Sequence, residues 1–219
     1  MFEKPIRVAI ADDHTLFRKG LMMMVGGFDN VEVIADFPNG KEALNFLKQN
    51  PIDIILLDLD MPVLDGWETS RKIIAKYPNI HIIIISMNDS LEVIAELIEI
   101  GVHSYLLKNA EPNEVKRAIH SVLNNDFYYN HVVSKALRQN IQRLNFKKPT
   151  HQDQAHLTKR EVEVLELICK EMTVKEIGEE LHLSEQTIQT HRKHMMKKIH
   201  GKNGVSLVRY AIQNQIVSF

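Results

Sequence analysis

The chain has 219 residues, of which 44% are hydrophobic and 25% are charged, and its formal net charge is −1. The apolar residues suffice for a folded core, which excludes a wholly disordered chain, and a single cysteine excludes a disulfide-stapled scaffold. The strongest apolar runs fall far short of the ~20 residues of a membrane helix, and we expect no signal peptide among the first residues. We therefore expect a cytoplasmic protein without a membrane partner.

Charge is distributed unevenly along the chain. Counting Lys and Arg against Asp and Glu, residues 1–125 carry a net charge of −6, residues 126–156 of +3 and residues 157–219 of +2. An acidic surface suits a cation, whereas a basic surface suits a polyanion. The split therefore indicates two modules with different partners.

The predicted elements of the first 125 residues alternate between short apolar runs and longer amphipathic stretches. The predicted strands are Ile6–Ala11, Val31–Ala35, Asp53–Leu57, His81–Ile85 and Ser104–Leu107. The predicted helices are Thr15–Val25, Gly40–Asn50, Asp65–Tyr77, Ser90–Ile100 and Pro112–Asn124. Five such βα units predict an α/β domain with a five-stranded, parallel, doubly wound sheet, in which ligands bind beyond the carboxyl ends of the strands.

Residues 126–155 are expected to form a linker. A possible short helix carries three basic side chains, and the polar segment Lys147–Gln152, which includes a proline, is typical of a connection between domains. We therefore divide the chain into residues 1–125, 126–155 and 156–219.

Residues 156–219 show a purely helical pattern. Helix starts are predicted at three capping positions: Thr158 with Glu161, Thr173 with Glu176, and Ser184. The helix after Ser184 is predicted to run to about Ile199, and a last helix from about Val205 to Ile216. The pattern predicts a small all-α domain of four helices.

Five reactive side chains are placed at the ends of predicted strands: Asp12 and Asp13, Asp58, Ser86, and Lys108. We expect all five at the same edge of the sheet. Clustered carboxylates repel one another unless a cation offsets their charge, and oxygen ligands of this kind suit Mg²⁺. A lysine and a hydroxyl beside such a site can bind the oxygens of a phosphoryl group, and the central carboxylate can act as its acceptor.

Residues 1–125 resemble the receiver domain of two-component response regulators, which has a flavodoxin-like fold. The matching segments are Ala11–His14, Leu57–Pro62 with Asp65-Gly66, Ile85-Ser86, and Tyr105–Lys108. The resemblance implies that Asp58 accepts a phosphoryl group from a phosphohistidine on a sensor histidine kinase. The only catalysis it implies is the phosphorylation and dephosphorylation of Asp58 itself.

The same resemblance assigns a role to each residue of the acidic edge. Asp13 and Asp58 would bind Mg²⁺ directly, the backbone carbonyl of Asp60 would be a third ligand, and Asp12 would act through a metal-bound water.

Three further residues are implied to respond to phosphorylation. Lys108 would pair with the phosphoryl oxygens, Ser86 would hydrogen-bond one of them, and Tyr105 would move inward with Ser86.

A different chemistry is also compatible with part of this edge. Asp58-Leu59-Asp60 after an apolar strand resembles the start of haloacid-dehalogenase-type phosphatases, in which the first Asp is the nucleophile and the second a general acid. In that family this strand comes first in the chain, whereas here an acid pair precedes it. The receiver is therefore the favoured interpretation.

The helix after Ser184 separates polar from apolar side chains. Helical spacing places Gln186, Gln189, Thr190, Lys193 and Lys197 on one face. The same spacing places Ile188, Met195 and Ile199 on the other face. A helix that is basic outward and apolar inward has the form of a recognition helix, although a charge stripe alone is also typical of a solvated helix in a plain bundle.

The order of residues around this helix resembles the LuxR-type DNA-binding domain over about residues 155–217. The matching segments are Leu157–Leu165, Lys175–Ile177 and Leu183–His191. The resemblance implies that three side chains face bases: Gln189, Thr190 and Lys193. It implies contacts to phosphates, or a role in positioning the helix, for Ser184, Thr187, His191, Arg192 and Lys197.

Together these features resemble transcriptional response regulators of the NarL/FixJ type. The resemblance implies double-stranded DNA as the target, and a homodimer that forms on phosphorylation. We expect the unphosphorylated receiver to restrain the DNA-binding domains or to leave them unpaired. One alternative stays open, namely an adaptor that is indifferent to phosphorylation and uses its receiver only as a docking surface.

Overall fold

The computed structural model describes residues 4–125, 127–143, 157–170, 172–201 and 204–217. The predicted polar segment Lys147–Gln152 lies outside the described residues. None of the described helices combines the length and the hydrophobicity that crossing a bilayer requires.

Strands and helices alternate through the first part of the described chain, and only helices follow. The strands are β1 (Ile6–Ala11), β2 (Val31–Phe37), β3 (Ile54–Leu57), β4 (His81–Ser86) and β5 (Ser104–Leu107). The first five helices are α1 (Thr15–Gly26), α2 (Gly40–Leu47), α3 (Gly66–Lys76), α4 (Leu91–Ile100) and α5 (Pro112–Asn125). The later helices are α6 (His131–Arg143), α7 (Lys159–Cys169), α8 (Val174–Leu181), α9 (Glu185–Lys198) and α10 (Val205–Gln213).

The five strands form one parallel sheet in the order β2-β1-β3-β4-β5, which confirms the predicted fold class. The register pairs Ala11 with Leu57, so β1 and β3 end at the same level, whereas β4 continues beyond Ile84, the partner of Leu57, to Ser86. The chain proceeds outward in opposite directions from β1 and from β3. In sheets of this kind, functional side chains gather beyond the carboxyl ends of the two central strands.

Helices cover both faces of the sheet. Ile10 and Leu56 pack on the side of α1 and α5, whereas their neighbours Ala9 and Ile55 pack on the side of α2, α3 and α4. Because both faces are buried, β3 is wholly apolar, which explains why this strand was predicted from a short continuous run.

Every predicted strand and helix is present, and only some of the ends differ. The helix α2 ends at Leu47 instead of the predicted Asn50. Asn50 precedes a proline, which disfavours helical backbone at that residue, and its side-chain amide donates a 2.9 Å hydrogen bond to the Phe46 carbonyl. β2 continues past its predicted end to Phe37, whose carbonyl accepts a 3.0 Å hydrogen bond from the backbone N–H of Asp12.

The predicted linker begins with an ordered part. All of Phe127–Asn130 is buried, and α6, the predicted short helix, packs along α4. The sequence predicted the helix but not the burial of the four residues before it, because so short a segment has no periodicity to interpret.

The helices α7–α10 form the predicted four-helix domain. Thr158 and Glu161 form a reciprocal capping box at the start of α7, and Thr173 and Glu176 form one at the start of α8. Ser184 caps α9 with its side chain. All three predicted caps are therefore confirmed.

Candidate functional site

Three carboxylates lie together at the edge of the sheet where they were predicted. Asp12 and Asp58 are buried, with 2% and 3% of their surface exposed, and Asp13 is half-buried. The backbone N–H of Asp58 donates a 2.8 Å hydrogen bond to the Ala11 carbonyl, so the ends of β1 and β3 hold the first two acids side by side. The sheet thus brings like charges together in a place with little water.

Lys108 is the cation that lies between these carboxylates. Its Nζ is 2.7 Å from Asp12 Oδ2 and 2.7 Å from Asp58 Oδ2, and 7% of its side chain is exposed. The ammonium also lies over the ring of Phe17, 4.8 Å from the ring centroid. An aromatic face attracts a cation, so Phe17 helps to hold the ammonium in this position.

The titration of Asp58 and Lys108 reflects this arrangement. Burial raises the pKa of Asp58 above its ordinary value; the hydrogen bond from Lys108 opposes this effect and the Asp12 charge adds to it. Burial lowers the pKa of Lys108, but its hydrogen bonds to Asp12 and Asp58 outweigh that effect and leave the pKa raised. One ammonium therefore serves two buried carboxylates, and the edge keeps an excess of negative charge.

Four side chains at this edge could hold a metal ion. Asp12, Asp13, His14 and Asp58 each offer a ligand atom, and these atoms lie within 4.8 Å of one another. No described residue donates a hydrogen bond to the buried Oδ1 of Asp13, although His14 Nδ1 is 2.8 Å away. Carboxylate oxygens in this state fit a hard divalent cation. His14 was not predicted as part of the site, and the exposed Asp60 carboxylate is not part of this group.

Ser86 and Tyr105 lie on the neighbouring strands and are fully buried. The backbone N–H of Asn88 donates a 3.1 Å hydrogen bond to Ser86 Oγ, and the Tyr105 hydroxyl donates a 2.5 Å hydrogen bond to the Asn88 carbonyl. Burial raises the pKa of Tyr105 to about 12, so its hydroxyl is a neutral donor. The Tyr105 ring is fully buried in this structure, and its movement with Ser86 on phosphorylation stays a prediction.

A buried arginine that was not predicted supports the acidic edge. Arg18 of α1 is 8% exposed, its Nη1 donates to the backbone carbonyl of Asp12, and its Nε donates a 2.8 Å hydrogen bond to Asp36 Oδ2. The sequence contained a signal, because Arg18 shares the buried face of α1 with Leu21 and Val25 at helical spacing.

The start of α3 lies against the backbone of Asp58. The N–H of Gly66 donates a 2.9 Å hydrogen bond to the Leu59 carbonyl, and a Cβ added at Gly66 would lie 2.2 Å from the Asp58 carbonyl oxygen. Asp65 caps the helix by accepting from the N–H of Glu68. The sequence indicated Asp65-Gly66 only as part of a resemblance. The structure gives a steric reason for glycine at position 66, because a side chain there would collide with the Asp58 carbonyl.

Most of the predicted DNA contacts on and before α9 reach the surface. The exposed ones are Ser184, Thr190, Lys193 and Lys197. The partly buried ones are Thr187, Gln189 and His191. Arg192 is buried, with 6% of its surface exposed.

Two of these residues contact the first part of the chain. Gln189 Nε2 donates a hydrogen bond to the backbone carbonyl of Asn124 near the end of α5. The Arg192 guanidinium lies over the Phe127 ring, 5.4 Å from its centroid. In this arrangement Gln189 and Arg192 are engaged within the chain, and the base contact predicted for Gln189 and the phosphate or positioning role predicted for Arg192 stay predictions.

In the helical domain, α8 and α9 are joined by the short turn at 182–184 and form a helix-turn-helix. The doubly wound sheet with its acidic edge, joined to this domain, defines a response regulator. The family described as "Response regulator receiver domain" matches residues 8–120, and the family described as "Bacterial regulatory proteins, luxR family" matches residues 155–211. The chain belongs to the NarL/FixJ family of response regulators, in which a receiver domain is joined to a LuxR-type domain that regulates transcription.

Relatives of similar length support this assignment. The chain is 32% identical over 222 residues to the oxygen regulatory protein NreC of Staphylococcus carnosus (strain TM300). This match covers 98% of this chain and 100% of NreC. It is 29% identical to the transcriptional regulatory protein DegU of Brevibacillus brevis, with 97% and 95% of the two chains covered. Both are regulatory proteins, which leaves the phosphatase alternative without support.

Solved structures of the same architecture are also similar. The response regulator ChrA of a heme-sensing two-component system is 27% identical, with a TM-score of 0.53, and 98% of this chain and 100% of that chain are covered. RcsB from Salmonella enterica serovar Typhimurium, bound to promoter rprA with a phosphomimetic, is 24% identical, with a TM-score of 0.57. That match covers 96% of this chain and 99% of the RcsB chain, and at this identity it shows the fold alone.

The close approach of α3 to Asp58 leads to a prediction for Gly66→Ala. The added methyl group would push against the Asp58 carbonyl, so we expect the free energy of unfolding to fall by about 1–3 kcal/mol. Gly20→Ala is the matched control, because an added Cβ at this position in α1 has no atom within 4 Å and alanine is the better helix former. Urea unfolding followed by circular dichroism measures both variants, and equal stability of Gly66→Ala and the unmodified protein would contradict the steric role.

Proposed function

We propose that the protein accepts a phosphoryl group on Asp58 from a sensor histidine kinase and that this event controls its binding to DNA as a homodimer. The observation that carries the proposal is the setting of Asp58, a buried carboxylate at the end of a central strand, 2.7 Å from an ammonium that it shares with Asp12. The division into residues 1–125, 126–155 and 156–219 belongs to this proposal.

The transfer itself needs little from the protein beyond charge and position. A bond forms between the phosphorus and a carboxylate oxygen of Asp58, while the phosphorus–nitrogen bond of the phosphohistidine breaks. The kinase histidine leaves as a neutral imidazole when its other ring nitrogen carries the proton. Lys108 offsets the charge that accumulates on the phosphoryl oxygens, because its ammonium already lies within hydrogen-bond distance of Asp58.

Mg²⁺ fits as the cofactor of this transfer. Asp13 and Asp58 would bind it directly, Asp60 through its backbone carbonyl, and Asp12 through a water. When bound, Mg²⁺ supplies positive charge that stabilises the phosphoryl oxygens. The support is the excess of carboxylates over ammonium groups at this edge, together with the Asp13 oxygen that accepts no hydrogen bond from the described residues.

Phosphorylation then changes the contacts of the residues around Asp58. It adds a charge of about −1.5 to −2 and three acceptor oxygens. Lys108 would turn from Asp12 toward these oxygens, and the hydroxyl of Ser86 would donate to one of them. Because Asn88 contacts both Ser86 and Tyr105, a movement of Ser86 would be passed to the loop before α4 and to β5.

The DNA-binding step uses α9 as the recognition helix. Gln189, Thr190 and Lys193 would face base edges in the major groove. Contacts to DNA phosphates, or the positioning of the helix, would be provided by Ser184, Thr187, His191, Arg192 and Lys197. The contacts of Gln189 and Arg192 with the receiver side must break first, so the unphosphorylated chain would bind DNA weakly. Two phosphorylated copies would place two α9 helices on half-sites about 34–36 Å apart.

Asp58→Asn tests the acceptor, with Asp60→Asn as the matched control two residues away. We expect Asp58→Asn to lose labelling by acetyl phosphate and Mg²⁺, because the amide is not a nucleophile for this transfer. Asp60→Asn should keep it, since the proposal uses only the carbonyl of that residue. Mass spectrometry of the intact protein measures both. Labelling retained in Asp58→Asn would assign the acceptor to another residue.

Lys193→Ala tests the recognition helix. We expect it to lower the affinity for a duplex selected from a random-sequence pool by about 1–3 kcal/mol, the usual contribution of one good base contact. Lys170→Ala is the control, because Lys170 is an exposed lysine at the end of α7 to which the proposal gives no contact with DNA. Fluorescence anisotropy at several salt concentrations measures both variants. Affinity that does not change with salt would exclude phosphate contacts altogether.

A beryllofluoride mimic of the phosphoryl group separates this proposal from the adaptor alternative. We expect the mimic with Mg²⁺ to raise both the oligomeric mass in light scattering and the affinity for DNA. If neither changes, the receiver does not control DNA binding and the adaptor alternative is favoured.

A further inference from the structure

The segment between the two domains contacts both of them. This segment is Phe127–Asn130, and the Arg192 guanidinium lies over the ring of Phe127. Phe127 also lies close to the start of α10, since a Cβ added at Gly204 would be 1.9 Å from Phe127 Cδ1. The backbone N–H of Tyr128 donates a 3.0 Å hydrogen bond to the His103 carbonyl just before β5. A movement of this segment relative to β5 would therefore move the surface on which α9 lies.

Asn130 fixes the other end of the segment with three hydrogen bonds. Its side-chain Nδ2 donates to the Tyr105 carbonyl at 3.2 Å and to Glu114 Oε1 at 2.8 Å, and its Oδ1 accepts from the backbone N–H of Val133 at 3.0 Å. Asn130 is 5% exposed. A single side chain thus joins β5, α5 and the first turn of α6.

The partner of Asn130 on β5 is also a residue of the proposed switch. The hydroxyl of Tyr105 donates to the Asn88 carbonyl, and the N–H of Asn88 donates to Ser86 Oγ. Contacts therefore run without a gap from Ser86, beside the phosphoryl acceptor, to the start of α6.

We propose that Asn130 is the positioning residue that couples the receiver to the DNA-binding domain. This proposal rests on the function proposed above. The two hydrogen bonds donated by the Asn130 amide hold the segment Phe127–Asn130 and α6 on the receiver. As long as they persist, Arg192 and Gln189 stay engaged and α9 is withheld from DNA. A shift of Tyr105 on phosphorylation loosens the same two bonds and releases α9.

Asn130→Asp tests this role with a change of one group. Aspartate caps a helix as well as asparagine does, so the bond from Val133 is kept. A carboxylate, however, cannot donate to the Tyr105 carbonyl, and it repels Glu114. We expect the unphosphorylated variant to bind a duplex selected from a random-sequence pool about tenfold more tightly than the unmodified protein, within the usual range of coupling between sites. Labelling of Asp58 by acetyl phosphate should be unchanged.

Rescue by a second substitution separates coupling from general damage to the fold. In Asn130→Asp with Glu114→Gln, the glutamine amide can donate to the new carboxylate and the repulsion is removed. We expect the affinity for DNA to return part of the way to that of the unmodified protein, because the contact with residue 114 is restored while the bond to the Tyr105 carbonyl is not. Glu114→Gln alone should change little because its amide oxygen still accepts from Asn130. The four proteins form a double-mutant cycle.

Each outcome bears on one claim. Equal DNA affinity of Asn130→Asp and the unmodified protein, or no decrease in affinity when Glu114→Gln is added to Asn130→Asp, overturns the proposed role of the two Asn130 bonds even if beryllofluoride activates the unmodified protein. If beryllofluoride has no effect but Asn130→Asp binds DNA more tightly, the positioning role of Asn130 is supported and the proposed control of DNA binding by phosphorylation is overturned. If Asn130→Asp does not fold, Asn130→Ser replaces it, since serine caps the helix but has no amide that could donate two hydrogen bonds, and the same increase in affinity is expected.

Discussion

The bridge from Lys108 to Asp12 and Asp58 is the interaction on which the rest of the site depends. Each bond is 2.7 Å long, and all three side chains are almost fully buried. Removing charges from water costs several kcal/mol per ion unless partners compensate it, and one ammonium compensates two carboxylates only in part. The edge of the sheet is therefore held together and left short of positive charge at the same time, a state that favours a divalent cation and a phosphoryl group.

The fold supplies this geometry through its strand order and register. Because β1 and β3 are neighbours and end at the same level, the acids that follow them are side by side without any long loop. Arg18 holds the backbone carbonyl of Asp12 from α1, and the absence of a side chain at Gly66 lets α3 approach the backbone of Asp58. The local backbone is thus fixed from two sides, which keeps the carboxylates in place despite their repulsion.

The sequence predicted the elements that depend on local pattern and failed where distant parts meet. The apolar strands and the capping boxes at Thr158 and Thr173 follow from neighbouring residues, and acids placed directly after such strands must lie at the edge. The burial of Phe127–Asn130 and the contact of Gln189 with Asn124 follow no local period, because they depend on how two domains pack. Arg18 is an intermediate case. Its place on the buried face of α1 could be predicted from helical spacing, but its partners Asp12 and Asp36 could not.

Packed residues connect the acidic edge to α9. A lysine shared by two carboxylates can be drawn toward added negative charge, and the residues next to it contact the segment that engages Arg192. Small changes at the edge can therefore decide between two arrangements of packed elements, since such elements move between discrete states. The domain that binds DNA needs no direct contact with the phosphoryl group for this.

A crystal structure of the full chain with Mg²⁺ and beryllofluoride tests the role of the Lys108 bridge most directly. We expect the beryllium on a carboxylate oxygen of Asp58, the cation against Asp13, and Lys108 Nζ within hydrogen-bond distance of a fluoride and released from Asp12. A structure in which Lys108 keeps both carboxylates, or in which the beryllium and the cation bind elsewhere, would contradict it.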